Sequence, residues 1–326
     1  MRAMPLAWER YGMIQVCLVK DGQLLTGGEE LLGEEGRKWI DVLHPTEEVL
    51  AQLAARFGLH KLAVEDCLHL DQRPKLEEYP NHQFVVLQGF TVTGKDICEL
   101  TLHEHHFFLA KDWLISVHEL PFAGHDTVVR RVKDDPQATL IRGTDFVFYM
   151  LADTLVDAQF PILDAFSDEL EDLEIAIFDK PEKSHLQRIF AMKRMLVTFR
   201  RVLSPQRDVV GLLSRRGIPH VHEKTTLYFR DVYDHLVRLY EQIDAGRDII
   251  GNVIDGYLSM VANKTNDISK QLTIFATIFL PLSCIVGFFG QNFDRLYTNG
   301  AWYLMWASIL ALPVGMIFWF KHKEWL

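Results

Sequence analysis

The sequence predicts an α+β domain followed by a long helical stalk and two transmembrane helices. Strand-like and helix-like segments alternate over residues 1–142. A helical pattern without proline then runs between Pro219 and Pro281, and two uncharged apolar segments cover residues 272–290 and 302–320. Each apolar segment is about as long as a helix must be to cross a hydrocarbon core of ~30 Å. The expected domains are residues 1–142, 143–268 and 269–326.

The N-terminal domain contains segments rich in β-branched and aromatic residues, which are typical of strands. These predicted strands are residues 14–19, 84–90, 99–109 and 113–117. Two segments with helical spacing, Glu47–Phe57 and Lys61–Leu68, are predicted helices, and a turn and cap at residues 44–46 precede the first of them. We expect a sheet of about five or six strands.

A cluster of His103, Glu104, His105 and His106 lies on one predicted strand. Because successive strand residues point to opposite faces, His103 and His105 share one face, and Glu104 and His106 share the other. We interpret the cluster as part of the sheet surface without a metal, and a metal site is the alternative. The spacing differs from the HExxH of a zinc protease. The sequence has no glycine-rich phosphate loop, nucleophile elbow or kinase motif, so it predicts neither an enzyme nor a site for a small organic substrate.

The helical region begins with two segments of opposite charge. Residues 144–178 form a predicted acidic helix, and residues 182–203, after a break at Pro181, form a basic one. Opposite charges favour an antiparallel hairpin with complementary faces. We interpret the acidic residues as a solvated face, and a rim that attracts cations is the alternative.

A much longer helix follows this pair. Apolar residues recur at helical spacing from Phe229 to Val261, and no proline interrupts the chain before Pro281. At 1.5 Å per residue, a helix of ~60 residues reaches about 90 Å. Such a helix suits a stalk in a bundle, continuous with the first membrane span.

The two apolar segments are predicted transmembrane helices joined by a short linker at residues 291–301. Lys264 and Lys270 precede the first segment, and Lys321 and Lys323 follow the second. Because the cytosolic flanks of membrane helices carry an excess of Lys and Arg, both termini are predicted to lie in the cytosol. We therefore expect a multi-pass protein in a lipid bilayer.

One face of the first predicted membrane helix carries mostly small and polar residues. Tight helix packing and a narrow water-filled lumen both explain such a face, and from the pattern alone packing is the preferred interpretation. Two helices cannot enclose a water-filled path, so a lumen requires several copies of the chain. The residues of this face, which we call the stripe, are Asn266, Ser269, Thr273, Ala276, Leu280, Ser283, Gly287 and Gly290.

The composition is acidic: 34 Lys and Arg stand against 44 Asp and Glu in 326 residues, a net charge of −10. This balance argues against a nucleic-acid-binding protein, which would carry a basic surface. It is compatible with a protein that handles cations, and equally with many soluble proteins. The four cysteines form no CxxC pair, which argues against a disulfide framework or a cysteine zinc site.

Three separated stretches resemble the CorA magnesium-transporter family. They are VEDCLHLDQRPKLEEYPN at residues 64–81, YFRDVYDHL at residues 228–236 and NKTNDISKQLTIFATIFLPLSCIVGFFGQN at residues 263–292. The two-helix hairpin with its basic C-terminal tail is similar to the family as well. The resemblance implies a funnel-shaped homopentamer in the cell (inner or plasma) membrane, in which the stalk helices of the copies line a central pore.

The motif at the end of the first membrane helix departs from the family pattern. The family carries Gly-Met-Asn where this chain has Gly290, Gln291 and Asn292. The resemblance implies that the glycine lets the chain turn at the pore mouth and that a ring of Asn292 amides binds a cation through its water shell. Such binding suits Mg²⁺, which usually keeps several waters. In the loop that follows, Asp294 lies beside Arg295, so we expect weaker attraction of cations than is typical of the family.

The resemblance assigns further roles, position by position. Asp66 and Asp231 match a regulatory Mg²⁺ site between subunits that holds the closed state, whereas the residues alone suggest ordinary capping or exposed carboxylates. Asp255 matches an acidic ring at the cytosolic end of the pore. The matched pore positions are Asn266 (a polar ring), Leu272 (a hydrophobic constriction), Leu280 (a methionine in the family, at a second narrow point) and Ser283 (a threonine in the family), and the stripe adds Ser269 and Thr273.

The expected function is a pore for divalent cations, foremost Mg²⁺, with Co²⁺ or Ni²⁺ as further ions. Mg²⁺ is then both the transported ion and the intracellular regulator that closes the pore. The 14 histidines and the altered motif, whose middle residue also varies in the zinc-handling branch of the superfamily, leave a Zn²⁺ transporter as an alternative. A membrane-anchored sensor that does not transport ions is the second alternative.

Overall fold

The computed structural model describes residues 14–69, 71–120, 122, 124–290, 299–323 and 325. The chain divides into two compact units. The sheet unit contains the chain up to Ile175 together with Lys183–Asn252, and the terminal unit contains Ala176–Glu182 and the chain from Val253 onward.

A seven-stranded sheet forms the centre of the sheet unit. Its strands are β1 (Ile14–Lys20), β2 (Gln23–Gly27), β3 (Arg37–Leu43), β4 (Lys75–Glu78), β5 (Gln83–Val92), β6 (Leu100–Leu109) and β7 (Trp113–His118). Across the sheet they lie in the order β2-β1-β3-β7-β6-β5-β4. Among the described strands, β3 and β7 run parallel and the other neighbours run antiparallel.

Three of these strands, β2, β3 and β4, are not predicted by the sequence, so the expected number of five or six strands is too low. β2 and β4 are short edge strands with few buried residues, and β3 begins with Arg37 and Lys38. Enrichment in β-branched and aromatic residues reflects packing on a half-buried surface, so short edge strands and charged strand ends carry little of this signal.

The helices α1 (Glu47–Phe57) and α2 (Lys61–Leu68) cover one face of the sheet. Leu50 and Leu53 of α1 belong to the same apolar cluster as Ile40 of β3. The predicted cap is confirmed, because Thr46 Oγ1 accepts a hydrogen bond from Val49 N at 3.3 Å.

Two further helices, α3 (His125–Asp134) and α4 (Thr144–Asp157), follow β7. α4 packs on the opposite face of the sheet, where the rings of Phe148 and Phe107 lie 5.0 Å apart. The sheet is therefore covered on both sides.

Three of the four residues in the histidine cluster of β6 are buried, and His103 is half-buried. His105 and His106 are 1% and 2% exposed, and Glu104 is 8% exposed. The prediction of a sheet-surface cluster is therefore wrong. The reason is the helical cover on both faces, which buries alternate residues of β6 on either side of the sheet.

The prediction of a single helix at residues 144–178 is also wrong, because this segment forms two helices. Ala158 and Gln159 separate α4 from α5 (Phe160–Asp179). The next helix, α6 (Lys183–Leu213), continues past the predicted end at residue 203 and through Pro205, with buried residues on both sides of the proline. The free energy gained by burying these apolar side chains offsets the loss of the backbone hydrogen bond that a proline removes. The predicted charge complementarity is present in the ion pair between Arg188 of α6 and Glu169 of α5.

Two glutamine side chains accept hydrogen bonds from the part of β5 that extends beyond β4. β4 pairs with residues 83–86 of β5, so the later N–H groups along this edge need other acceptors. Gln206 Oε1 of α6 accepts a hydrogen bond from Gln88 N at 2.7 Å, and Gln159 Oε1 accepts one from Phe90 N at 3.2 Å. Both glutamines are almost completely buried, and their bonds attach the helical segments to the sheet.

We expect Gln206→Leu to lower the free energy of unfolding by about 1–3 kcal/mol, because the buried Gln88 N–H loses its acceptor. Denaturation of the purified full-length protein measures the change. Gln52→Leu, on the exposed side of α1, is the matched control and should change stability by less than about 0.5 kcal/mol. Equal stability of the Gln206 variant and the parent would show that this bond does not hold α6 to the sheet.

The two C-terminal helices are α7 (Glu223–Phe289), a single helix of 67 residues, and α8 (Asn299–His322). Both contain segments long and apolar enough to cross a membrane, and only 6% of each segment is buried. Thr144–Asp179 also meets the length and composition criteria, but 56% of its apolar segment is buried inside the protein. The predicted α+β domain, long helix and pair of apolar C-terminal helices are therefore confirmed.

Candidate functional site

The stripe residues from Asn266 to Gly287 lie along one face of α7, since they are spaced by three or four in an uninterrupted helix, and Gly290 comes directly after its end. Each stripe residue is exposed in the single chain. The apolar residues Phe275 and Phe279, which lie outside the stripe, are 61% and 60% exposed. A face of small and polar groups next to exposed phenylalanines indicates two different surroundings for the two sides of this helix.

Two hydroxyl groups of the stripe donate their protons to the backbone of α7. Thr273 Oγ1 donates to Ser269 O at 2.8 Å, and Ser283 Oγ donates to Phe279 O at 2.9 Å. A hydroxyl whose proton is used in this way remains a hydrogen-bond acceptor. The waters around a hydrated cation point their hydrogens away from the ion, so a lining of acceptors matches a hydrated cation.

Two leucines interrupt this polar lining. Leu280, in the stripe, is 74% exposed, and Leu272, beside the stripe, is 69% exposed. Asn266 lies on the same face, nearer the N-terminus of α7. If copies of α7 meet around an axis, the leucines form apolar rings between polar ones.

Gly290 follows the last residue of α7, and its N–H donates to Val286 O at 2.9 Å. Its backbone is not in the left-handed region, so the conformational freedom expected of this glycine is not used at residue 290 itself. Its small size matters instead, because a Cβ atom here would lie 3.1 Å from Val286 O. Gln291 and Asn292 lie outside the described residues.

Asp255 lies on α7 upstream of the stripe. It is separated from Asn266 by 11 residues, which is about three helical turns, so the two side chains share a face. Asp255 is exposed in the single chain, and its backbone oxygen accepts a hydrogen bond from Ser259 Oγ at 2.8 Å. Its position is compatible with an acidic ring in an assembly of parallel α7 helices.

Asp66 lies on α2 and already has a cationic partner. Its Oδ2 atom is 2.6 Å from Lys75 Nζ of β4, and its side chain is 21% exposed. Burial by itself would lower the pKa of Lys75, but its hydrogen bonds to Asp66 and Glu77 outweigh burial and raise the pKa. Any metal ion that binds Asp66 must therefore compete with a stable ammonium group.

Asp231 is exposed on α7 and lies in a group of carboxylates that the sequence analysis missed. Ligand atoms of Asp153, Asp157 and His235 lie within 4.8 Å of one another. Burial first, then the nearby charges of Asp157 and Asp231, raise the pKa of Asp153 to about 6. His235 Nδ1 lies 2.8 Å from Asp157 Oδ1, and the charge of His235 offsets part of this rise in the pKa of Asp153.

A sequence signal for this group exists. Asp153 and Asp157 are four residues apart on α4, and Asp231 and His235 are four residues apart on α7. Both pairs therefore lie on single helix faces. Among the described residues, no hydrogen bond or ion pair joins Asp66 to Asp231.

Residues 34–322 match the family model for CorA-like Mg²⁺ transporter proteins. The chain belongs to this CorA-like family. It is 36% identical over 293 residues to the cobalt/magnesium transport protein CorA of Thermotoga maritima. The alignment covers 88% of this chain and 83% of that protein. The predicted family resemblance is confirmed.

A solved CorA structure shares the fold. It is the complete structure of the CorA magnesium transporter from Methanocaldococcus jannaschii. The structural alignment covers 96% of this chain and 99% of that chain, with a TM-score of 0.84 and 23% sequence identity. The zinc transport protein ZntB of Yersinia enterocolitica is similar to a smaller part: it is 27% identical over 183 residues, which are 53% of this chain and 55% of that protein. The similarity to CorA proteins is therefore more extensive.

Proposed function

We propose that this CorA-like chain forms a homopentameric pore that conducts divalent cations, foremost Mg²⁺, across the cell (inner or plasma) membrane. The observation that carries the proposal is the stripe on α7, a face of small and polar groups on an exposed apolar helix. In this arrangement residues 1–142 and 143–268 lie in the cytosol with both termini, and residues 269–326 form the membrane domain. Co²⁺ and Ni²⁺ are further candidate ions.

The path for the ion follows α7. Acceptor oxygens along the stripe bind the water shell of the ion, which spares Mg²⁺ the cost of losing its waters. Asp255 concentrates cations at the cytosolic end, and Asn292 selects them at the other end. The proposed pore-lining residues are Asn266, Ser269, Thr273, Ser283, Gly290, Gln291 and Asn292.

Leu272 and Leu280 form the proposed gate. Apolar rings expel water from a narrow pore, and a dry segment blocks a hydrated ion. Widening of the rings wets the segment and opens the path. The gate therefore responds to small movements of α7.

Intracellular Mg²⁺ sets the gate through Asp66 and Asp231. A bound cation relieves the repulsion between Asp231 and Asp153, and it holds adjoining subunits together. When Mg²⁺ is scarce, the carboxylates repel one another and the assembly loosens. Mg²⁺ thus serves as regulatory ligand and as transported ion.

Ion flux into proteoliposomes that contain the full-length protein tests the function. We expect Mg²⁺ uptake driven by an inside-negative potential, and a pentamer in native mass spectrometry. Asn266→Leu should abolish uptake without changing the oligomer. Gln271→Leu is the matched control and should retain uptake, because Gln271 is exposed on the side of α7 away from the stripe.

Two other results would overturn the Mg²⁺ assignment. Zn²⁺ uptake without Mg²⁺ uptake would assign the chain to zinc transport, an alternative favoured by its similarity to ZntB. A normal pentamer without flux of any divalent cation would indicate a membrane-anchored sensor.

A further inference from the structure

Three side chains that could bind a metal meet inside the sheet unit, apart from Asp66, Asp231 and α7. They are Asp41 of β3, His118 at the end of β7 and His125 at the start of α3, and they are 2%, 2% and 1% exposed. One oxygen or nitrogen atom of each lies within 4.8 Å of those of the other two.

The distances place both imidazoles on the same carboxylate. His118 Nε2 is 3.0 Å from Asp41 Oδ1, and His125 Nε2 is 2.9 Å from Asp41 Oδ2. Ligand atoms bound to a tetrahedral zinc ion at ~2.0–2.1 Å are about 3.3 Å apart. The two contacts to Asp41 are therefore within a few tenths of an ångström of the ligand spacing in a zinc site, and the ligand atoms of all three residues lie within 4.8 Å of one another.

The fold holds these residues in position. β3 and β7 are parallel neighbours in which Asp41 lies opposite Ser116, so His118, two residues further along, points to the same face. Ser116 Oγ donates to Asp41 Oδ1 and accepts a hydrogen bond from Trp39 Nε1 at 2.8 Å. Such outer hydrogen bonds orient a carboxylate ligand.

A further imidazole lies beside the group. His105 of β6 is paired in register with His118, and the two rings are 5.7 Å apart. His105 is 1% exposed, and among the described residues neither of its ring nitrogens has a hydrogen-bond partner. Buried polar atoms without a partner are costly, and metal coordination or a metal-bound water would satisfy one of them.

We propose that Asp41, His118 and His125 form a buried binding site for a divalent transition-metal ion, of the Zn²⁺ or Co²⁺ class, with His105 as an adjoining imidazole. Two nitrogen ligands and one carboxylate suit these ions, whereas Mg²⁺ prefers oxygen ligands and keeps its waters. The site is therefore chemically distinct from the oxygen-lined pore and from the carboxylates around Asp231. It gives the sheet unit a means to bind transition metals while Mg²⁺ is abundant.

Zn²⁺ retention by the purified full-length protein tests the proposal. Metal-free protein is equilibrated with Zn²⁺ in the presence of millimolar Mg²⁺, which saturates the oxygen sites, and bound zinc is counted by mass spectrometry. We expect a stoichiometric amount per chain. Asp41→Asn and His125→Phe should weaken Zn²⁺ binding by roughly 100-fold or more, because each removes a ligand.

His44→Gln is the matched control. His44 is a surface histidine paired with a carboxylate, Glu119, at 3.2 Å, with its side chain 45% exposed. This variant should retain zinc like the parent. Equal zinc retention in the Asp41, His125 and His44 variants would overturn the site, as would a parent protein that holds no zinc in excess Mg²⁺.

X-ray absorption of zinc bound to the unmodified protein gives a second readout that does not depend on the folding of any variant. We expect the scattering of at least two imidazole rings together with an oxygen ligand. A shell of oxygen atoms without imidazole would overturn the proposal and would leave the three residues as a buried ion pair.

Discussion

Leu280→Ser is expected to raise the Mg²⁺ flux at millimolar intracellular Mg²⁺ by roughly tenfold or more. Burial of a leucine side chain from water is worth ~1.5–3 kcal/mol, and every copy in the assembly loses this apolar group at the same level of the pore. The ring around residue 280 then stays wet when the gate should be closed. Uptake into proteoliposomes preloaded with Mg²⁺ measures the change.

Leu310→Ser is the control for this prediction. Leu310 is 64% exposed on α8, which we place away from the pore axis. Its replacement should leave the basal flux at the level of the parent protein. If the two serine variants leak equally, residue 280 is not at the gate.

Asp231→Ala should abolish closure by Mg²⁺. The variant loses the carboxylate that, in the proposed mechanism, shares a cation with the adjoining subunit, so flux stays high when intracellular Mg²⁺ rises. The protection from proteolysis that Mg²⁺ gives to the closed form should be lost as well. Limited proteolysis over a Mg²⁺ titration measures this loss without a transport assay.

Asp248→Ala provides the matched control on the same helix. Asp248 is 73% exposed and contacts Arg247, its neighbour in sequence, at 3.4 Å. Its removal changes the charge of α7 by the same amount and should leave the Mg²⁺ response intact. Identical Mg²⁺ titrations of parent and Asp231→Ala would remove Asp231 from the regulatory mechanism.

Local patterns were sufficient for much of this fold. The helical spacing from Phe229 to Val261 and the two apolar segments predicted α7 and α8, and the turn at Thr46 predicted the start of α1. These features depend on residues close together in sequence, where periodicity and capping act directly.

Features that depend on distant contacts were missed or misjudged. His105 and His106 are buried because α1, α2 and α4 cover the sheet, which the strand pattern alone does not reveal. Likewise, Asp41 meets His118 only because β3 and β7, far apart in sequence, are parallel neighbours. The spacing of four residues between Asp153 and Asp157 can be seen in the sequence. That Asp153 lies close to Asp231 follows only from the packing of α4 against α7.

The glutamines Gln159 and Gln206 bear on how copies of this chain can meet. Strand edges with free N–H and C=O groups invite pairing with another chain, and an assembly concentrates such edges close together. Here β4 is four residues long, and buried amide side chains occupy the N–H groups of Gln88 and Phe90 on the remainder of that side. On this side of the sheet, pairing with a neighbouring subunit is therefore limited to the four-residue edge of β4, which is too short to support a long intermolecular sheet.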